Sequence, residues 1–133
     1  MPTVMIVDDE PLVLDLIRRI LTEAGYETLT CAGGVAALEF VAERTAPIDV
    51  LLTDLKMPDV DGWTVASAVK GRWSSVGVVF MSGYCGIAAD GNTYLSLDDC
   101  FLQKPFTRAT LLSALVRVYG PQDRQVKDAQ RTA

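Results

Sequence analysis

Five short apolar runs, separated by segments with helical periodicity, constrain the fold of this chain more than any other feature. The runs are residues 3–7, 28–31, 48–53, 76–81 and 100–103. Between and after them, apolar residues recur three and four positions apart, as on one face of an α-helix. Alternation of this kind requires parallel strands joined by right-handed crossovers, with helices covering both faces. The sequence therefore predicts an α/β domain with five strands and five helices.

Four of the predicted helices have a clear apolar stripe, whereas the fourth in order does not. The stripes are Val13, Leu16, Ile17, Ile20 and Leu21; Val35, Leu38, Val41 and Ala42; Trp63, Val65, Ala66 and Val69; and Leu111, Leu112, Leu115, Val116 and Tyr119. Thr107 is placed to cap the last of these helices. Residues 85–98 are interrupted by Gly86, Gly91 and Asn92, so the helix predicted there is short or frayed.

Length and composition predict one domain. The chain has 133 residues, of which 50% are hydrophobic, enough for a single buried core. We assign residues 1–120 to this domain. Residues 121–133 have almost no apolar content and are expected to be a disordered tail.

Several classes of protein are disfavoured by composition. The net charge of −5 argues against direct binding to nucleic acid, and no apolar stretch approaches the roughly twenty residues that span a bilayer. Strand one follows Met1 and Pro2 without a signal-peptide pattern, so we expect a cytoplasmic protein. Cys31, Cys85 and Cys100 have no paired spacing, so we expect reduced thiols without a role.

Charged residues follow three of the predicted strands. Asp8 and Asp9 come after the first strand, Asp54 ends the third, and Lys104 follows the fifth. The carboxyl ends of parallel strands lie along one edge, where open α/β sheets bind ligands. Crowded carboxylates repel one another unless a cation compensates. Oxygen ligands in a chain without histidine favour Mg²⁺ over zinc or copper.

Four short motifs, taken together, resemble the response-regulator receiver domain over roughly residues 3 to 119. They are Val7-Asp8-Asp9-Glu10, the segment from Asp54 to Gly62, Met81-Ser82-Gly83, and Lys104-Pro105-Phe106. The resemblance implies a flavodoxin-like, doubly wound sheet of strand order 2-1-3-4-5. It also implies a phospho-accepting protein of two-component signalling that is not an enzyme, apart from catalysing its own phosphorylation and dephosphorylation.

The resemblance assigns roles to the acidic residues. Asp54 matches the phospho-acceptor, which takes a phosphoryl group from a phosphohistidine on a histidine kinase. Asp9 matches the direct Mg²⁺ ligand, and Asp8 the acid that holds a metal-bound water. The backbone carbonyl of Lys56 would complete the metal site. Asp59 and Asp61 are predicted to be turn residues before a helix.

The resemblance also places the residues that respond to phosphorylation. Lys104 would neutralise the phosphoryl group, and its peptide bond to Pro105 is expected to be cis. Ser82 matches the hydroxyl that closes on a phosphoryl oxygen, although a serine after a strand is also a common turn residue. Phe101 matches the switch aromatic of the family, although a strand aromatic is usually a core residue.

Other classes of protein fit the motifs less well. A phosphatase with an aspartyl nucleophile needs a second acid two residues after it, where this chain has Lys56. A nucleotide-binding module needs a glycine-rich phosphate loop after strand one, where this chain has Asp8-Asp9-Glu10-Pro11.

Three outputs stay open for a receiver. It could switch a protein-interaction face built from strand five and the last two helices, including the irregular 86–98 segment. It could pass the phosphoryl group to a histidine phosphotransfer protein. It could also bind a partner independently of phosphorylation.

Overall fold

The computed structural model describes residues 2–82 and 99–119. The strands are β1 (Thr3–Val7), β2 (Glu27–Cys31), β3 (Val50–Asp54), β4 (Gly77–Ser82) and β5 (Asp99–Gln103). The helices are α1 (Pro11–Glu23), α2 (Gly34–Glu43), α3 (Gly62–Arg72) and α4 (Arg108–Tyr119). The short helix predicted within residues 85–98 and the tail predicted at 121–133 lie outside the described residues.

The strands form one parallel sheet in the order β2-β1-β3-β4-β5, as the resemblance implied. Every residue of β1, β3 and β4 is buried, as expected for strands covered on both faces. Strand β2 at the edge is more exposed, with only Cys31 buried. The continuous apolar runs in the sequence therefore became the three central strands.

Two layers of core lie on opposite faces of the sheet. Alternate side chains of a strand point to opposite faces, so Ile6 packs with helices α1 and α4 while Met5 packs with α2 and α3. Among the helical residues, Ile17 and Leu115 belong to the first layer and Val65 to the second. None of the four described helices is long and apolar enough to cross a membrane.

The predicted helix stripes were wrong at several positions. Leu16 is 53% exposed, and Leu14 is buried in its place. On α2, Val35 and Ala42 are exposed and Ala37 is buried, while on α4 Val116 is 40% exposed. Helices α1, α2 and α4 each carry apolar residues that stay exposed, so periodicity alone does not select the buried arc, whereas the stripe predicted on α3 was correct.

Local sequence signals correctly predicted both ends of α1 and the start of α4. Pro11 begins α1, and Gly25 follows its end with a positive φ of 98°. Before α4, the Thr107 Oγ1 accepts a hydrogen bond from the Thr110 N–H at 3.1 Å. These ends set where the chain turns back toward the next strand.

Two glycines of α3 provide a matched test of packing. A Cβ at Gly62 would overlap the carbonyl oxygen of Asp54, whereas a Cβ at Gly71 would meet no atom of the described residues within 4 Å. We expect Gly62→Ala to lower the free energy of unfolding by roughly 1–3 kcal/mol because it overpacks the turn. Gly71→Ala should raise it by roughly 0.5–1 kcal/mol, the difference in helix propensity. Urea unfolding of both variants checks this, and equal effects would contradict it.

Candidate functional site

Three carboxylates converge at the carboxyl edge of the sheet, as the sequence predicted. Asp54 ends β3, and Asp8 and Asp9 follow β1. Strands β1 and β3 are neighbours, with Val7 paired to Thr53, so the chains leave the sheet side by side. One carboxylate oxygen from each of the three residues lies within 4.8 Å of the others.

Lys104 reaches the same place from the far edge of the sheet. Its Nζ lies 2.9 Å from the Asp8 Oδ2 and 3.5 Å from the Asp54 Oδ1. The Lys104 N–H donates to the Ser82 carbonyl at 2.7 Å, which fixes the residue beside the end of β4. The Lys104–Pro105 peptide bond is cis, as predicted.

The members of this cluster differ in their exposure to water. Asp8 is fully buried, and its second oxygen accepts the Glu10 N–H at 2.9 Å. Asp54 is 8% exposed, and Asp9 is exposed. The cluster therefore opens to solvent at Asp9, and Asp8 is its most buried carboxylate.

The site has an excess of negative charge. Burial, followed by the charges of Asp8 and Asp9, raises the pKa of Asp54 to about 6, although Lys104 opposes the shift. Burial alone would lower the pKa of Lys104, but the hydrogen bond to Asp8 and the charge of Asp54 outweigh it and raise that pKa. One ammonium thus incompletely compensates three carboxylates. A set of hard oxygen donors with uncompensated charge suits a cation such as Mg²⁺.

Lys56 and Ser82 are both near Asp54, Lys56 along the chain and Ser82 across the sheet. Lys56 is exposed and lies two residues beyond Asp54. Ser82 is 8% exposed and follows Met81, the residue that pairs with Asp54 across the sheet. The proposed metal and switch roles of these two residues remain predictions.

Phe101 lies in an aromatic cluster on the α3 side of the sheet. Its ring centroid is 5.5 Å from that of Phe80 and 5.9 Å from that of Trp63. Phe101 is only partly buried. The contacts support a packing role, and its role as a switch stays a prediction.

The thiol that the structure describes fits the expectation of an inert cysteine. Cys31 is buried at the end of β2, and burial raises its pKa to about 11. A protonated thiol is a poor nucleophile. Cys85 lies outside the described residues, and so does the side chain of Cys100.

The hydrogen-bond partners of Asp59 were not predicted from the sequence. Asp61 caps α3, accepting the Thr64 N–H at 2.8 Å, so its assignment as a residue preceding a helix was correct. The Asp59 carboxylate instead accepts the N–H groups of Gly34 and Val35, at the start of α2. One signal could have indicated this contact: Gly33 precedes α2 and has no side chain with which to cap it.

Comparison with known proteins identifies the family. Residues 4–116 match the response regulator receiver domain, and the chain belongs to this family. It is 31% identical over 121 residues to the sensor kinase CckA of Brucella abortus, covering 91% of this chain and 13% of that protein. It is 32% identical over 115 residues to the transcriptional regulatory protein KdpE of Mycobacterium tuberculosis, covering 86% of this chain and 50% of that protein. The chain thus spans half or less of the length of these two relatives.

Solved structures support the same assignment. A response regulator receiver protein from Sinorhizobium medicae superposes with a TM-score of 0.80 at 28% identity, covering 92% of this chain and 97% of that one. The receiver domain from the hybrid histidine kinase CckA gives a TM-score of 0.70 at 32% identity, covering 87% and 98%. The fold and the family therefore agree.

The raised pKa of Asp54 predicts how stability depends on pH without metal. A carboxyl whose pKa rises on folding contributes stability that is present below its unfolded pKa and lost as the pH rises through its folded pKa. In chelator, the protein should therefore lose stability on passing through about pH 6. Asp54→Asn stays neutral and should not show this loss. Its free energy of unfolding relative to that of wild type should therefore increase, on the order of 2 kcal/mol, as the pH rises from about 4 to about 7.

Urea unfolding at a series of pH values in chelator measures this difference. Asp49→Asn is the control. It also removes one carboxylate, which accepts the Thr3 N–H, but at the amino-terminal ends of the strands, away from the acidic cluster. A gap between Asp54→Asn and wild type that does not change with pH would contradict the prediction.

Proposed function

We propose that Asp54 accepts a phosphoryl group from a phosphohistidine of a partner histidine kinase, in a reaction that needs Mg²⁺. The observation that carries the proposal is the convergence of Asp8, Asp9, Asp54 and the Lys104 ammonium at one edge of the sheet. Membership of the receiver family supports it. A cytoplasmic location belongs to the proposal, as expected from the sequence.

The reaction is a phosphoryl transfer to a carboxylate. An oxygen of Asp54 forms a bond to phosphorus while the phosphorus–nitrogen bond to the kinase histidine breaks, leaving an acyl phosphate and a histidine that takes up a proton. The protein's task is to position an in-line attack and neutralise charge on the equatorial oxygens. Lys104, whose Nζ lies 3.5 Å from the Asp54 Oδ1, would bind one of these oxygens.

Four groups would hold the metal. The carboxylates of Asp9 and Asp54 and the backbone carbonyl of Lys56 would bind it directly, and Asp8 would hold one of its waters. When bound, Mg²⁺ would offset the negative charge of the carboxylates and of the incoming phosphoryl group. The pKa of Asp54, raised to about 6, is consistent with a need for such a cation.

Phosphorylation would be read out through Ser82 and Phe101. The hydroxyl of Ser82 would bind a phosphoryl oxygen, drawing the end of β4 toward Asp54. Phe101 lies on β5, which pairs with β4, so a shift at Ser82 would reach it through the sheet. The resulting change in the face around β5 would alter binding to a downstream protein.

A relay function is the alternative. The chain resembles the receiver of a hybrid kinase as well as that of a transcriptional regulator, and the first resemblance favours onward transfer to a histidine phosphotransfer protein. Transfer of labelled phosphate from Asp54 to such a protein would distinguish a relay from a switch.

Intact mass after incubation with acetyl phosphate and Mg²⁺ tests the proposal. Wild type and Asp49→Asn should gain the mass of one phosphoryl group, because Asp49 lies at the opposite edge of the sheet. Asp54→Asn should gain nothing, and neither should wild type in chelator. An unmodified wild type would overturn the proposal and favour a phosphorylation-independent binding module.

Lys104→Gln should separate metal binding from phosphorylation. Its ammonium lies 2.9 Å from Asp8 and repels an incoming cation, so its removal should leave Mg²⁺ affinity unchanged or higher. The rate of phosphorylation should fall by about 100-fold or more, the usual effect of losing a preorganised charge at the transition state. Mg²⁺ titration and the time course of the mass adduct measure the two effects. A parallel loss of both would show that Lys104 only maintains the structure.

A further inference from the structure

The loop between β3 and α3, residues 55–61, carries the Lys56 carbonyl that the proposed function assigns to the metal. Its first residue is fixed by the Leu55 N–H, which donates to the Met81 carbonyl at 2.9 Å. Its far end is closed by the Gly62 N–H, which donates to the Leu55 carbonyl at 2.8 Å. Between these two bonds the loop leaves the sheet, so its position there depends on other contacts.

Asp59 supplies such contacts. Its Oδ1 accepts the N–H of Gly34 at 3.1 Å and that of Val60 at 2.7 Å, and its Oδ2 accepts the N–H of Val35 at 3.0 Å. The bonds to Gly34 and Val35 span 25 and 24 positions of sequence. Bonds from the amides of Val35, Val60 and Gly34 lower the pKa of Asp59, which keeps it ionised at neutral pH.

The first turn of helix α2 has amides that no side chain of Gly33 can cap and that the Asp59 carboxylate can reach. Gly33, the residue before the helix, has a positive φ of 121° and no side chain that could cap the first amides. A Cβ at Gly34 would lie 2.5 Å from the Val60 carbonyl oxygen, so the loop packs directly on the first turn. Asp59 therefore replaces the missing cap and joins α2 to the loop.

We propose that Asp59 is a positioning residue for the metal site: by bonding the start of α2, it holds loop 55–61, and with it the Lys56 carbonyl, in the geometry that binds Mg²⁺. This inference rests on the proposed function. Coupling of this kind is reciprocal, so Mg²⁺ should in turn stabilise the bonds between Asp59 and α2. A residue that only capped α2 would affect stability but would leave Mg²⁺ affinity unchanged.

Mg²⁺ titrations followed by NMR of backbone amides test the proposal. We expect Asp59→Ala to weaken Mg²⁺ binding about tenfold, the lower end of what is lost when a group that orients metal ligands is removed. Asp59→Asn keeps one acceptor oxygen and should recover part of the affinity.

Asp49→Ala is the matched control. Its carboxylate also joins two distant segments through a backbone amide, accepting the Thr3 N–H at 2.7 Å across 46 positions, but at the opposite edge of the sheet. It should lower the free energy of unfolding in chelator, as Asp59→Ala should, without changing Mg²⁺ affinity. An Asp59→Ala variant with wild-type Mg²⁺ affinity would overturn the proposal and leave Asp59 as a helix cap only.

Amide hydrogen exchange gives a second test that needs no variant. Saturating Mg²⁺ should slow exchange of the Gly34 and Val35 N–H groups in the wild-type protein. An exchange rate at these groups that does not change with Mg²⁺ would also overturn the proposal, even if Asp59→Ala failed to fold. A wild-type protein that binds no Mg²⁺ would instead reject the proposed function, on which the inference depends.

Discussion

The burial of the Asp8 carboxylate is the constraint around which the charges of the site are arranged. Asp8 is fully buried, and a buried carboxylate is costly unless it is paired and hydrogen-bonded. Its partner comes from beyond β5, 96 positions later in the chain. The pair can form only when β1, β3, β4 and β5 lie side by side in order. The charge balance of the site is therefore tied to completion of the sheet.

The same pair leaves the site poised for a ligand. A single ammonium cannot neutralise three carboxylates, and Asp54 consequently has a pKa raised to about 6. The free energy needed to ionise Asp54 can be recovered when a cation binds. The sheet thus holds the carboxylates where they repel one another, and binding of a cation would relieve that repulsion.

Much of the fold was predictable from the chain because local signals agreed with one another. The apolar runs marked the strands to within about two residues, the usual uncertainty at element boundaries. Thr107 and Gly25 marked helix ends correctly. Burial on the helices was less predictable, as Leu16 and Val116 show, because the width of a helix contact depends on what packs against it.

The sequence by itself determined which residues could form the site. An acid that follows an apolar run can be recognised from the sequence, and the carboxyl ends of parallel strands lie along one edge of the sheet. Tertiary structure alone decided two other features. The amides that bond Asp59 lie about two dozen positions away at the start of α2, and although Gly33 leaves that helix without its own cap, the sequence does not specify which residue supplies one. The raised pKa of Asp54 depends on burial and on neighbouring charges that only the folded chain brings together.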